Sequence, residues 1–130
     1  MQNIKLDNLL LIDIETVPQH PAFDLLSDTW KQLWEEKTQR SLPDFTTAAE
    51  FYPQRAGVMA EFAKIVCISI GYFTRQDNAL QLRLKSFYGD DEKILLQEIS
   101  QLIDIQQKKW NDFGICGHNI NEFDIPYICR

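Results

Sequence analysis

Residues 9–16 of the chain read Leu-Leu-Leu-Ile-Asp-Ile-Glu-Thr. Four apolar residues in a row, followed by alternating apolar and acidic residues, predict a buried strand that ends among carboxylates. Side chains alternate along a strand, so Asp13 and Glu15 are expected to project from one face, roughly 7 Å apart. Neighbouring carboxylates repel each other unless a positive charge neutralises them, and divalent cations prefer oxygen ligands. The pair therefore suggests a metal site at the edge of a sheet.

The composition indicates one folded domain of 130 residues, 45% of them hydrophobic. The net charge of −6 disfavours non-specific binding of nucleic acid through a basic surface, but not an enzyme that meets phosphate through cations. Neither a membrane-spanning run of about 20 apolar residues nor a secretory signal is visible. We therefore expect a soluble, cytoplasmic protein without membrane contact. Three cysteines are predicted to be buried free thiols in a reducing compartment: Cys67, Cys116 and Cys129.

Apolar periodicity predicts an alternation of strands and helices along the chain. Strands are expected at about residues 9–15, 64–73, 80–85 and 113–118. Helices are expected at about residues 21–37, 46–55 with a break near Pro53, from about 91 onward, and 122–130. The middle strands are close enough to form a hairpin, and the last strand can lie parallel to the first. We expect an α/β fold, a mixed sheet flanked by helices, with a helical insertion at about residues 19–60.

The third strand has a two-residue pattern of its own. Its leucines, at positions 80, 82 and 84, alternate with Gln81, Arg83 and Lys85. Such alternation predicts one apolar face and one face in contact with solvent.

A second acidic segment lies near the C-terminus, where residues 117–126 read Gly-His-Asn-Ile-Asn-Glu-Phe-Asp-Ile-Pro. The last strand ends in small residues, and a polar turn leads into a helix that carries Asp124. If that strand lies beside the first one, Asp124 comes close to Asp13 and Glu15. Three carboxylates could then surround one or two cations.

The two acidic segments resemble motifs of the DEDD superfamily of 3′–5′ exonucleases. Residues 13–16 are similar to its first motif, Asp-x-Glu, and residues 117–126 to the second motif of the proofreading exonuclease of family B DNA polymerases. Residues 62–69, Phe-Ala-Lys-Ile-Val-Cys-Ile-Ser, also resemble the second strand of that family. The chain most resembles the predicted stand-alone exonucleases that are related to this proofreading domain. The resemblance covers most of the chain outside the insertion. Asp-x-Glu alone is common, whereas both motifs in this order are specific.

This resemblance implies a ribonuclease H-like fold and hydrolysis of phosphodiester bonds at the 3′ end of a nucleic acid. The implied partner is a single-stranded or frayed 3′ end, with DNA favoured, and the implied cofactors are two divalent cations, Mg²⁺ or Mn²⁺. Asp13 would bind both ions, Glu15 the ion that carries the attacking water, and Asp124 the other ion. The residues implied to contact the terminal nucleotides or to shape their slot are Thr16, Val17, Asn119 and Phe123.

The resemblance departs from the superfamily in one respect. A fourth carboxylate is required there, an Asp preceded at four residues by Tyr or His on a later helix. This sequence ends at Arg130, six residues after Asp124. We therefore expect a C-terminally truncated domain that lacks the last motif, with weakened metal binding and no hydrolysis by this piece.

Simpler interpretations stay open for each residue. Asp13 and Glu15 could be exposed acids at a strand end, and Asp124 an acid favoured by the dipole of its helix. Asn119 could be a turn former, and His118 a hydrogen-bonding residue at the end of a strand. For the whole chain, the alternative is a non-catalytic ribonuclease H-like module that binds nucleic acid or protein. An endonuclease or another phosphodiesterase on the same fold is a weaker possibility.

Overall fold

The computed structural model describes residues 5–109 and 112–130, which form four strands and four α-helices. The strands are β1 (Leu9–Pro18), β2 (Ala63–Gln76), β3 (Ala79–Tyr88) and β4 (Gly114–Cys116). The helices are α1 (Asp28–Thr38), α2 (Ala48–Arg55), α3 (Glu92–Lys109) and α4 (Asp124–Ile128). The chain divides into two compact units, one of residues up to Glu15 with Ile65–Arg130 and the other of Thr16–Lys64. The second unit includes all of the predicted helical insertion, residues 19–60.

The first unit is built on a mixed sheet with the strand order β3-β2-β1-β4. Strands β2 and β3 form an antiparallel hairpin in which Gln76 pairs with Ala79. The two residues between them, Asp77 and Asn78, have positive φ angles of 50° and 63°, as a tight hairpin turn requires. Strand β4 runs parallel to β1, with Ile115 beside Leu10. The predicted α/β class, the hairpin and the parallel last strand are confirmed.

One face of this sheet is buried. Alternate residues of β1 and β2 are almost inaccessible to solvent, and Phe87 of β3, which pairs with Ile68, lies on the same face. Helix α3 contacts β3 and buries Leu95 and Ile99. We infer that α3 covers this face. The buried strand residues on it include Leu10, Ile12, Ile14, Ile68 and Ile70.

The opposite face of β3 is exposed, contrary to the expectation that its leucines form a buried apolar face. Leu82 and Leu84 are 48% and 75% exposed, and Tyr88 is 80% exposed. The prediction failed because β3 is the end strand of the described sheet, and even on its other face only Phe87 is buried. Alternation therefore identified two faces correctly but not which one is covered.

The second unit has its own apolar core around the indole of Trp34. The ring is fully buried, lies edge-on to Tyr52 and Phe62 with 5.0 Å between centroids, and donates to the Ala48 carbonyl oxygen at 2.8 Å. The remaining members of this core are Leu26, Phe51 and Ala56.

Two details of the helix predictions in this unit are wrong. Helix α1 begins only at Asp28, because Ser27 caps it and the preceding Phe23–Leu25 form a separate 3-10 turn. Helix α2 continues through Pro53, since it ends two residues later and loses only one backbone hydrogen bond there.

The three cysteines are free, as expected, but only Cys67 is half-buried. Cys116 and Cys129 are exposed, because one ends a short strand and the other follows the last helical turn. Among the described residues, none of the helices combines the length with the apolar character needed to cross a bilayer.

Candidate functional site

Strand β1 separates its acidic and apolar side chains onto opposite faces. Ile12 and Ile14 are 3% and 5% exposed. Asp13, which lies between them, and Glu15, which follows Ile14, face solvent. The alternation of a strand is the physical reason, as the sequence pattern predicts. Two carboxylates therefore lie on the exposed face of β1, which continues to Pro18, three residues beyond the end that the sequence predicted.

Strand β4 stops early, and Gly117 is the reason that the chain can turn away so close to β1. A Cβ atom at Gly117 would lie 2.5 Å from the carbonyl oxygen of Ile12, a distance that no side chain tolerates. Asn119 then adopts a left-handed conformation with φ of 53°, and its carbonyl oxygen accepts from the N–H groups of Glu122 and Phe123 at 3.0 Å. The turn-forming role of Asn119 is thus plain, and it leads the chain directly into α4.

Asp124, the first residue of α4, occupies the space beyond the end of β4. Its side chain is buried, with 3% exposure of the residue, and its Oδ1 atom accepts the backbone N–H of Ile14 at 3.0 Å. Alternate residues of a strand direct their polar backbone groups to the same edge, so this N–H lies on the edge where the Ile12 carbonyl meets Gly117. The carboxylate thus accepts the hydrogen bond that a backbone carbonyl group would accept if β4 continued alongside β1 as far as Ile14.

This hydrogen bond places Asp124 beside the two acids that are far from it in sequence. The accepted N–H belongs to the peptide that joins Asp13 to Ile14, one residue before Glu15. A buried backbone N–H left unpaired would cost about 1–3 kcal/mol, so the carboxylate is held in place. The segment Asp13–Glu15 of β1 consequently has one fixed, buried carboxylate beside it and two exposed ones on it.

These acids do not form a ready-made metal site. Carboxylate oxygens are the ligands that Mg²⁺ and Mn²⁺ prefer. In the part of the chain that the structure describes, however, no three His, Cys, Asp or Glu side chains are grouped so that they could hold a metal ion. One oxygen of Asp124 is engaged by Ile14, and the side chains of Asp13 and Glu15 project into solvent. The donor chemistry suits a hard cation, but the arrangement does not fit two bound ions.

The remaining predicted substrate residues fall in different places. Phe123 is half-buried at the start of α4, with its ring 5.3 Å from that of Tyr127. Thr16 and Val17 belong to the second unit, where the Thr16 hydroxyl donates to the carbonyl oxygen of Gly57 at 2.6 Å and Val17 is 37% exposed. Asn119 and Phe123 therefore accompany Asp124, whereas Thr16 and Val17 continue β1 beyond the first unit.

A groove of about 540 Å³ opens on the exposed face of the sheet, next to Asp13. Its floor includes Leu11, Gly71 and Leu84, and His118 lines it together with Asp13. A Cβ atom at Gly71 would lie only 3.0 Å from the Leu84 side chain, so the glycine lets the strands' side chains pack closely there. The groove could receive an apolar or aromatic group beside the acids.

Glu92 supports α4, a role that the sequence around it does not predict. Its Oε1 atom accepts the N–H of Ile65 at 2.8 Å and also forms an ion pair with Arg130. The Arg130 guanidinium lies over the ring of Tyr127, 5.0 Å from the centroid. Glu92 thus links the start of α3 and strand β2 to the end of α4. An acid in the first turn of a helix was its only signal in the sequence, and that is too common to indicate such a link.

No protein-family model matches the chain, and no curated protein or solved structure is detectably similar to it.

Proposed function

We propose that this chain is a metal-dependent 3′–5′ exonuclease domain with a ribonuclease H-like fold. It would hydrolyse phosphodiester bonds at single-stranded or frayed 3′ ends, with DNA as the favoured substrate. One observation carries the proposal: the buried Asp124 carboxylate accepts the N–H of Ile14, between Asp13 and Glu15. Acids from two distant parts of the chain thereby lie close together along β1, just beyond the residues of β1 that pair with β4.

The sheet supports this proposal through its connectivity. A hairpin precedes α3, and α3 leads to β4, which pairs in parallel with the central strand β1. Ligands of open α/β sheets bind outside the carboxyl ends of the strands, and the three acids lie beyond the point where β4 ends and its pairing with β1 stops. A ribonuclease H-like fold is compatible with the four-stranded mixed sheet and remains part of the proposal.

The protein's own groups would bind and orient a 3′ end in complementary ways. Asp124, fixed by Ile14, supplies a carboxylate of constant position, whereas Asp13 and Glu15 can change their side-chain torsions at the surface. The groove beside Asp13 offers an apolar floor for a base, and Phe123 adds a half-exposed ring. Divalent cations would supply the positive charge that phosphodiester hydrolysis needs, and to hold them Asp13 and Glu15 would first have to turn toward Asp124.

The overall charge of the protein agrees with such a division of roles. With a net charge of −6, its surface does not attract a phosphate backbone through lysine and arginine. Cations held by the acids would have to provide the local positive charge. We therefore expect nucleic-acid binding to require Mg²⁺ or Mn²⁺.

A second candidate is a non-catalytic module of the same fold that binds nucleic acid or a protein. The lack of a grouped metal-binding set within residues 5–109 and 112–130 favours this alternative. It predicts no specific binding of divalent cations by the three acids.

Calorimetric titration with Mn²⁺ distinguishes the two candidates. If the proposal holds, the wild-type chain binds Mn²⁺ and the heat is lost in Asp13→Asn. A matched variant, Asp104→Asn, removes one exposed carboxylate of α3 and should bind like the wild type. Absence of Mn²⁺ binding, or equal binding by all three proteins, would favour the non-catalytic module.

An activity measurement then tests the reaction itself. The full-length protein is incubated with 5′-labelled single-stranded DNA or RNA in Mn²⁺, and shortening of the strand from its 3′ end is followed. A substrate with a blocked 3′ end should resist an exonuclease, whereas its internal cleavage would indicate an endonuclease. Activity that Asp13→Asn retains would contradict the assigned role of the acids.

A further inference from the structure

The exposed edge of the sheet at β3 has chemistry that the proposed exonuclease does not use. Strand β3 has ten residues and is the last in the strand order that the described residues form. An end strand directs alternate N–H and C=O groups outward, and these can pair with another extended segment. Long unprotected edges favour such pairing, so the side chains on this strand decide what can pair with it.

The two faces of β3 offer different chemistry to an added strand. Leu80, Leu82 and Leu84 project on the exposed face and are 42%, 48% and 75% exposed. Arg83 and Lys85 project on the other face, where both are exposed and neither forms an ion pair with a described residue. The strand therefore presents a row of apolar groups on one side and two positive charges on the other.

Charge decides between a second copy of this chain and a different partner. Strand β3 contains no acidic residue. Two copies of β3 could pair antiparallel with both leucine rows on one face. If the strands also overlap almost fully, the symmetry axis of the pair passes through Arg83 or through Leu84. The first register sets Arg83 opposite itself, and the second sets Arg83 opposite Lys85 of the other copy. Like charges directly opposite each other destabilise a strand pair, so self-pairing is disfavoured.

We propose that β3 is a docking edge for an extended segment of another protein in which apolar residues alternate with Asp or Glu. The segment would add a strand to the sheet through backbone hydrogen bonds. Its apolar side chains would continue the leucine row beside the groove that Leu84 lines, and its acids would lie opposite Arg83 and Lys85. This inference uses none of the three acids, and the edge of the groove at Leu84 is the one feature that it shares with the exonuclease proposal.

A designed peptide provides the test. The probe is a labelled eleven-residue peptide in which valine alternates with glutamate, and its partner has lysine in place of every glutamate. Fluorescence anisotropy with the full chain should show at least about tenfold tighter binding of the glutamate peptide, because each cross-strand pair changes from attraction to repulsion. Amide hydrogen exchange along β3 should slow only with that peptide.

Charge reversal makes the test specific to this edge. The double variant Arg83→Glu/Lys85→Glu should prefer the lysine peptide, a gain of binding that an unfolded protein does not produce. The control, Lys93→Glu/Lys108→Glu, changes the net charge equally on the exposed side of α3 and should behave like the wild type. Equal affinity for both peptides, an unchanged preference in the double variant, or concentration-dependent dimerisation through β3 would overturn the proposal.

Discussion

Replacement of Asp124 by alanine tests the geometry on which the candidate site depends. The change removes the carboxylate that accepts the Ile14 N–H at 3.0 Å and leaves that N–H buried and without its partner. A buried unpaired group costs about 1–3 kcal/mol, and the central value of about 2 kcal/mol is expected for the free energy of unfolding. Asp124→Asn keeps an oxygen acceptor of the same shape and should lose roughly 0.5 kcal/mol.

Thermal unfolding followed by circular dichroism measures this effect. At about 2.1 cal/mol/K per residue, cooperative unfolding of a chain of this length has an entropy of roughly 270 cal/mol/K, so a loss of about 2 kcal/mol lowers Tm by about 7 °C. Asp13→Ala is the matched control, because its side chain is exposed and its removal should change stability by less than about 0.5 kcal/mol. A Tm of Asp124→Ala within about 2 °C of the wild type would refute the buried hydrogen bond.

Three further changes test other parts of the fold. Gly117→Ala should destabilise by about 1–3 kcal/mol in urea unfolding, because its Cβ would lie 2.5 Å from the Ile12 carbonyl oxygen, and an unchanged midpoint would contradict this close approach. Trp34→Ala should cost about 3–5 kcal/mol in the second unit, and a smaller loss would mean that the surrounding rings close the cavity. Hydrogen bonds from the Thr47 backbone N–H and hydroxyl lower the pKa of the Glu50 carboxyl below its usual 4.5. The ionised carboxylate therefore stabilises the fold above pH 4.5, and this stabilisation is lost as the pH falls through the lowered pKa of the folded state. Glu50→Gln should reduce the fall in Tm between neutral and acidic pH, and an identical pH profile would exclude the capping interaction.

The arrangement of the sheet could be predicted because it depends on short-range patterns. Alternation around Asp13 defined β1, the Asp77-Asn78 pair marked the hairpin, and a helix between strands allowed β4 to lie parallel to β1. Adjacency of these strands then implied that Asp124 lies close to β1. The order and direction of the strands therefore predicted the position of Asp124, which the sequence around that residue alone does not.

Other features depend on contacts that no pattern contains. The leucine face of β3 is exposed because covering it requires another element, and periodicity does not say whether one is present. The acceptor role of Asp124 toward Ile14 depends on where β4 stops, which Gly117 determines through its close approach to Ile12. Asp13 and Glu15 likewise do not form a grouped metal site with Asp124, because their side chains face solvent. The residue types alone could not show this orientation.

Paramagnetic broadening by Mn²⁺ tests most directly whether the three acids meet at a cation. In an amide NMR spectrum of the wild-type chain, substoichiometric Mn²⁺ should broaden the signals of Asp13, Ile14, Glu15 and Asp124 first. Asp13→Asn should abolish this selective broadening while the spectrum elsewhere is unchanged. Broadening that begins at other acids, such as those of α3, or that is the same in the variant, would contradict a cation site at Asp13, Glu15 and Asp124.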